Sequence, residues 1–310
     1  MRYIENISLD PYFNQAFEEY VFEHTEGDVL LLWRNRPAVV CGRFQNLYSE
    51  VNVWQAVQDQ VALIRRISGG GTVYHDPGNV NYTLIGKSNP NENSFTQFLN
   101  PVIAILAKMG IDAHIIPGNG LAIGDEKISG SAQRNVKGRT MHHGTLLFDA
   151  DLTQLSRLAN GRRSHFSDKG TQSAPWPVTN IKNYLPDSSI TVEGFKETLL
   201  EHFGELYDLE HVELSQEDIR SIEQLARDKY HSFEWTFGKG PAFSCQHEVL
   251  INGKSVHMEY TSKAGIVTSI TTIPRQIDLE EVLISKRLHP EEISQLFGET
   301  NLADWIPHVL

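Results

Sequence analysis

The chain has 310 residues, 40% of them hydrophobic and 21% charged, and a formal net charge of −12. That is ordinary globular composition, enough for one large domain or two, but so acidic a chain does not suit a bulk DNA or RNA binder, whose affinity rests on phosphate neutralisation. No apolar run approaches the roughly 20 residues of a spanning helix, the first residues carry no signal-peptide stretch, and Cys41 and Cys245 lack disulfide-framework or metal-type spacing, so a cytoplasmic enzyme with neither nucleic acid nor membrane as partner is expected.

Asp10-Pro11 has the form of an N-cap followed by the first helical residue, and Tyr12, Phe13, Ala16, Phe17, Tyr20 and Val21 fall on one stripe behind it. Val29 to Trp33, Ala38 to Cys41, Val61 to Ile64 and Val80 to Ile85 have strand character. Ser94 to Met109 is an amphipathic helix closed by Gly110. Leu121 to Ile123 and Lys127 to Ser129 flank Gly124-Asp125-Glu126, a hairpin pattern, and His142 to Phe148 is a further strand. His142 and His143 are adjacent on that strand and face opposite sides, so they form no joint metal site. Helical patterns follow at 151–160, 191–207 and 215–230. The glycines and prolines of 161–180 suggest a mobile loop. Phe243 to Ile251, Ser255 to Thr261 and Ile266 to Ile273 form a meander turned at Asn252-Gly253, and short helical patterns at 278–287 and 290–297 close the chain. Strands and helices do not alternate strictly. The expected class is therefore α+β, with mixed β-sheets flanked by helices. The expected division is a larger domain over 1–234, a hinge at 235–240 and a small α+β domain over 241–310.

The most informative stretch is Arg-Arg-Ile-Ser-Gly-Gly-Gly-Thr-Val-Tyr-His-Asp, residues 65–76. Three glycines let a backbone approach a ligand with no Cβ in the way, and successive amides in such a loop can converge on an anion. Arg65 and Arg66 stand beside that bare backbone, as a nucleotide phosphate or an activated carboxylate would require. A glycine-rich hairpin with two solvated arginines fits the same residues. No Gly-Lys-Ser/Thr follows, and a strand stands where a P-loop would open a helix. A second constellation spans Lys-Ile-Ser-Gly-Ser-Ala-Gln, residues 127–133, and His-His-Gly-Thr-Leu, residues 142–146. Lys127 follows a turn among small residues, where a compact cation can reach a phosphate or carboxylate.

Together these segments resemble the signature of the lipoate–protein ligases. Gly42-Arg43-Phe44-Gln45-Asn46 and Trp235 to Ser244 match the same family, in the same order along the chain. The Gly-Arg-Gly-Arg loop of the related biotin–protein ligases is absent. The resemblance implies a biotin/lipoate ligase-like fold and a two-step acyl transfer. Lipoate and ATP form lipoyl-adenylate and pyrophosphate, and a lysine of an apo lipoyl domain then takes the acyl group. That domain would belong to a 2-oxoacid dehydrogenase complex or to a glycine-cleavage H-type protein. The resemblance also implies that Lys127 is the catalytic cation, bridging carboxylate and α-phosphate. Nucleotide contacts would come from Arg66, Gly71, Thr72, Val73 and Tyr74. Glu18, Trp33, His75 and His143 would line a lipoyl tunnel. Arg65, Ser68, Gly69, Gly70, Asn119 and Gly144 complete the substrate-binding candidates. Mg2+ would accompany ATP, with no metal ligand assignable.

The chain departs from the family in two places. Pro117-Gly118-Asn119-Gly120 replaces Gly-Arg-Asn-Asp, and Pro175 and Pro177 stand where the family has arginines. The lost charges lead us to expect an adenylation step that is weak relative to transfer. The alternatives are an acceptor-specialised paralogue, a non-catalytic binding protein, or an ATP-independent lipoyl or octanoyl transferase. The last needs a reactive thiol, so Cys41 and Cys245 are its candidates. Arg134, Lys137, Arg139, Arg162, Arg163 and Lys169 concentrate positive charge and would steer an acidic acceptor. An apolar tunnel separates lipoate from octanoate only weakly.

Overall fold

The computed structural model describes residues 1–89, 92–159, 163–300 and 302–310. Its strands are, in chain order, β1 (Arg2–Ile4), β2 (Val29–Trp33), β3 (Ala38–Cys41), β4 (Ala62–Arg65), β5 (Val73–His75), β6 (Asn79–Lys87), β7 (Ala113–Ile116) and β8 (Gly120–Ile123). There follow β9 (Glu126–Ser129), β10 (Ser131–Val136), β11 (Arg139–Leu147), β12 (Phe166–Asp168), β13 (Glu210–Val212), β14 (Phe243–Ile251), β15 (Lys254–Lys263) and β16 (Ile266–Ile273).

A six-stranded sheet in the order β10-β11-β6-β2-β1-β13 forms the centre. It is mixed: β1 runs parallel to β2 and β13, and the other neighbours are antiparallel. β2 is buried at every position, and β6 at all but its last, because helices cover both faces. On one face the helices Ser94–Lys108 and Val192–Leu206 bring Phe98, Leu99, Val102, Phe195 and Phe203 against Leu30, Tyr82 and Leu84. On the other face the helix Pro11–His24 brings Phe17 and Val21 against Leu31 and Trp33. The Asp10 side chain caps that helix by accepting the Tyr12 amide. The pattern expected at 215–230 is a helix over Gln216–Leu225 that widens into a π-turn over Ala226–Tyr230.

Two small sheets, β4-β3-β5 and β7-β8-β9, stand beside the central one. A fourth sheet runs β12-β14-β15-β16. The meander is therefore extended by a strand from within the segment expected to be a mobile loop. Phe166–Asp168 pairs antiparallel with Phe243–Cys245, and a 3-10 turn at Arg163–His165 leads into it. Gly161 and Arg162 of that segment lie outside the described residues. Phe243, Val249, Met258, Tyr260 and Leu283 share one apolar cluster with Val39, Cys41, Leu63 and Tyr74. The C-terminal meander thus packs against the β4-β3-β5 sheet. The segment expected as a hinge begins inside a short helix, Phe233–Thr236.

Candidate functional site

Where β6 and β11 approach the β4-β3-β5 sheet, two cavities of about 290 and 550 Å³ adjoin. Thr72, Val73, Lys127, Gly130, Thr145 and Ser173 line both. Gln15, Trp33, His75, Asn81 and His143 line only the first, and Glu50, Tyr74, Leu155 and Arg163 only the second.

The wall of the first cavity is a continuous chain of hydrogen bonds. Trp33 Nε1 donates to Thr83 Oγ1 at 3.1 Å, and that hydroxyl donates to Glu18 Oε1 at 2.6 Å. Both oxygens of Glu18 face His143 Nδ1, at 2.8 and 2.9 Å. His143 Nε2 lies 2.6 Å from Ser68 Oγ, which also accepts from Arg66 Nε at 3.0 Å. Arg66 continues to the carbonyls of Val40, Gly69 and Gly71. Glu18 is wholly buried, which is tolerable only because its acceptors are all engaged. The neighbouring His142 points the other way, between Phe98 and Tyr82, where burial pushes its pKa down to about 3.

Arg65 and Arg66 have opposite tasks. Arg66 lines the first cavity and holds the glycine loop in shape, with burial lowering its pKa to about 10. Arg65 lines neither cavity, which corrects its assignment to substrate. Its guanidinium turns away and donates to the carbonyls of Gly42, Arg43, Gln45, Trp235 and Thr236, fastening residues 235–236 to the end of β3. Gly70 adopts φ +84, and its carbonyl lies 2.1 Å from where a Cβ on Gly42 would stand, so the glycine loop and residue 42 meet backbone to backbone.

Lys127, on β9, borders both cavities. Among the described residues it has no ion-pair partner, and burial holds its ammonium below the usual lysine range. Its stem lies over Gly120: a Cβ there would stand 2.9 Å from Lys127 Cε and 2.7 Å from the Ser129 carbonyl. A side chain at position 120, where the resemblance leads one to expect an aspartate, would therefore meet the lysine's own methylenes. The second departure forms a roof. Residues 171–178 cross the site as a strap, and Lys127 N donates to Pro177 O at 2.7 Å while Thr179 N donates to Lys127 O at 3.0 Å. Ser173 Oγ accepts from Thr72 N and Gln45 Nε2, and Ser173 N donates to Glu50 Oε2. Glu50 also pairs with Arg163.

Of the remaining candidates, Gly70, Gly71, Thr72, Val73, His75 and Gly144 line the first cavity and Tyr74 the second. Ser68 and Glu18 stand behind that lining and act through His143. Gly69 lies under the Phe44 ring. Asn119 occupies a turn at φ +62, with its carbonyl accepting from Ser131 Oγ, and does not border either cavity. Of the expected basic residues, Arg134 pairs with Glu23, Arg139 donates to the carbonyls of Phe22, Thr25 and Gly27, and Arg163 pairs with Glu50, while Lys137 and Lys169 are exposed. Arg162 lies outside the described residues. Cys41 and Cys245 are buried and line neither cavity, and burial raises the Cys41 thiol, which disfavours the thiol that a transferase reading needs.

The lining carries one carboxylate, Glu50, already paired, and among the described residues no group of three His, Cys, Asp or Glu could hold a metal ion. That donor set does not fit a magnesium site built by the protein; Mg2+ commonly binds through substrate phosphates and its own waters. Sequence reasoning missed Gln15, Asn81 and Ser173. Asn81 was within reach. On β6, Asn79, Asn81 and Thr83 alternate with Val80, Tyr82 and Leu84, a polar face on the buried part of the strand.

Comparison with known proteins places this site in context. Residues 10–204 match the family described as "Lipoyl protein ligase A/B catalytic domain". The lipoate-protein ligase LplJ of Bacillus subtilis is 30% identical over 100% of this chain and 97% of its own length. Lipoate–protein ligase 1 of Staphylococcus aureus is 32% identical over 97% of this chain and 95% of its own. A crystal structure of a lipoate-protein ligase A bound with ATP superposes with a TM-score of 0.64 at 23% identity, covering 77% of this chain and 98% of that one.

Proposed function

The chain belongs to the lipoyl protein ligase A/B catalytic-domain family, and from that premise we propose that it is a lipoate–protein ligase running both half-reactions at Lys127. The single observation that carries this is the position of that cation: half-buried, without a carboxylate partner among the described residues, and bordering two cavities at once. A carboxylate in the first cavity and a phosphate in the second would both reach it. An incoming anion would restore the charge that burial disfavours.

In the first step a lipoate carboxylate oxygen attacks the α-phosphorus of ATP and pyrophosphate leaves. In the second the acceptor lysine amine attacks the acyl carbon, AMP leaves and the amine gives up a proton. Lys127 acts as a fixed positive charge in both, stabilising the phosphorane-like and tetrahedral transition states without forming a bond itself. The acyl tail lies along Trp33, His75 and His143, and the nucleotide lies between Tyr74 and the 171–178 strap. Gly70, Gly71 and Thr72 carry the backbone past the point where the two meet.

The acceptor is a lysine of a lipoyl domain from a 2-oxoacid dehydrogenase complex or of a glycine-cleavage H-type protein. The names of the relatives support an acceptor that is a protein. Residues 1–234 supply every lining residue of both cavities, which supports a division into a catalytic part, a hinge at 235–240 and an accessory part at 241–310. We place the enzyme in the cytoplasm; no described helix is long and apolar enough to cross a membrane. The test supplies lipoate, ATP and an apo lipoyl domain and scores pyrophosphate and acylated product. Pyrophosphate that requires lipoate supports the reading, and acylation without ATP sinks it.

A further inference from the structure

The two cavities share a stretch of lining in which the glycine loop, at Thr72, meets the strap, at Ser173. What ties the two segments together lies behind that lining. Gln45 is wholly buried and borders neither cavity. Its side chain reaches three separate segments: the turn that follows β3, the glycine loop and the strap.

The backbone fixes which way the Gln45 amide points. Gly42 N donates to one end of it at 2.9 Å, and a main-chain N–H cannot accept, so that end is Oε1. Thr72 Oγ1 donates to the same oxygen at 2.9 Å. The other end is therefore Nε2, and it donates to Ser173 Oγ at 3.0 Å. That Ser173 oxygen also accepts from Thr72 N at 2.9 Å. Gln45, Thr72 and Ser173 thus close a ring of hydrogen bonds, with the glycine loop on one side and the strap on the other. The Gln45 main chain is itself anchored. Its carbonyl accepts from the buried Arg65 Nη1 at 2.8 Å, and its N–H donates to the Gly42 carbonyl at 3.1 Å.

We propose that Gln45 is a positioning residue for the acyl-adenylate, its amide clamping the strap to the glycine loop where the two cavities join. This rests on the ligase reading above and deepens it. The mixed anhydride forms where carboxylate and phosphate meet, and that point lies under the junction of Thr72 and Ser173. Wherever the junction parts, water reaches the acyl carbon. Its oxygen then bonds to that carbon, the anhydride C–O bond breaks, and lipoate, AMP and a proton are released. Each such escape consumes one ATP and acylates nothing. An apolar side chain of the same length at position 45 removes the link to Ser173 and leaves the Gly42 N–H and the Thr72 hydroxyl without their acceptor.

The test leaves the acceptor out. The full chain is mixed with lipoate and ATP, and pyrophosphate and free AMP are followed from the first turnover. A closed site gives a burst of pyrophosphate and then slow AMP release. Gln45→Met is expected to raise AMP release per burst-active site by about tenfold, the order of one or two neutral hydrogen bonds. Ser173→Ala removes the other end of the clamp and is expected to leak alike, with the double variant within about twofold of either. Gln45→Glu keeps the length and lets the Ser173 hydroxyl donate to it, so it should leak less than Gln45→Met. A residue that only held the fold would lower the melting temperature and the burst without raising release per active site. An unchanged leak in Gln45→Met overturns the proposal, as do single effects that multiply in full in the double variant. If Gln45→Met does not fold, a normal leak in Ser173→Ala overturns it instead. If the wild type gives no lipoate-dependent pyrophosphate, the ligase reading fails, and hydrogen exchange at the Thr72 and Ser173 amides decides the clamp. Faster exchange in Gln45→Met, or in Gln45→Glu where that variant alone folds, supports it, and equal exchange overturns it.

Discussion

The two cavities that meet at Lys127 are walled in different ways. The first is cut into the central sheet and lined by side chains of β2, β6 and β11 whose polar groups run in one chain from Trp33 through Glu18 and His143 to Arg66. The 171–178 strap, held by Ser173, Pro177 and Glu50, closes over both, with Thr171 and Gln172 lining only the first and Pro175, Pro177 and Val178 only the second, where it supplies most of one wall. A sheet-built wall is preorganised, because each of its rotamers is fixed by a buried partner. A roof tied by a few bonds can be lifted locally at small cost. An enzyme that must shield an acyl-adenylate and then show it to a protein lysine needs both properties. The arrangement places a rigid sheet-built wall on the acyl side and leaves the strap, which reaches over both cavities, as the adjustable part.

The largest effect is expected at the junction itself. Lys127→Ala removes the one cation that, among the described residues, the two cavities share, and lipoate-dependent pyrophosphate release should fall by about two to three orders of magnitude. The melting temperature should hold or rise, since a half-buried ammonium that burial disfavours is lost. A folded variant with near-normal release would show that neither cavity works through Lys127.

Next comes the seat of that lysine. Gly120→Ala places a methyl 2.9 Å from Lys127 Cε and 2.7 Å from the Ser129 carbonyl. The stem must move, and about a tenfold loss in adenylation is expected, with transfer from preformed lipoyl-adenylate less affected. The expectation of intrinsically weak adenylation is tested by the same pair of rates in the wild type. If preformed adenylate is no faster than ATP plus lipoate, the glycine is a fitted seat and no activity was lost with the aspartate.

These positions also show what the sequence made legible. The Asp10-Pro11 cap, the glycine loop and the Lys127 hairpin declare themselves because their residue types act through local backbone geometry. The adjacent arginines were harder, since charge and neighbours are the same for both. At the end of β4, Arg65 and Arg66 leave the backbone on opposite sides, and only the packing of Trp235 and Thr236 shows that one of them ties backbone to backbone. The strap was illegible for a different reason. Pro175 and Pro177 look like lost function when charge is the only measure. Their contribution is a backbone carbonyl and an apolar wall, neither of which depends on a recognisable side chain. The cations at Arg134, Arg139 and Arg163 misled in the converse way, because each finds an acceptor distant in sequence.

A smaller effect should separate the two walls directly. Glu50 borders only the second cavity, where it holds Ser173 N and Arg163. Glu50→Ala should loosen the strap and raise the KM for ATP about fivefold to tenfold, the range for losing a buried charged hydrogen bond. Lipoate affinity by calorimetry should stay within about twofold. If lipoate binding weakens as much as ATP binding, the two walls are one unit and the contrast drawn above is wrong.

The smallest expected effect is on the pH dependence of stability, and it belongs to the first wall alone. His75 lines the first cavity and His142 lies behind it on β11; burial depresses both rings to about 3 from an ordinary 6.5. Folded-state values below the unfolded ones mean that the native protein binds fewer protons than the unfolded chain. The stability held by these neutral rings is therefore fully present above pH 6.5 and is lost as pH falls toward 3. Each ring should add a slope of about 1.4 kcal/mol per pH unit inside that window. His142 touches no ligand space, so His142→Leu isolates the effect from binding: Leu keeps the contact with Phe98 and Tyr82 and removes the titrating group. Urea unfolding at pH 7, 5 and 4 should give the variant a shallower decline than wild type, by about one proton's worth of slope. Parallel declines would mean that the ring is reached by water or charged in the native state, and that the wall behind the first cavity is less closed than its hydrogen bonds imply.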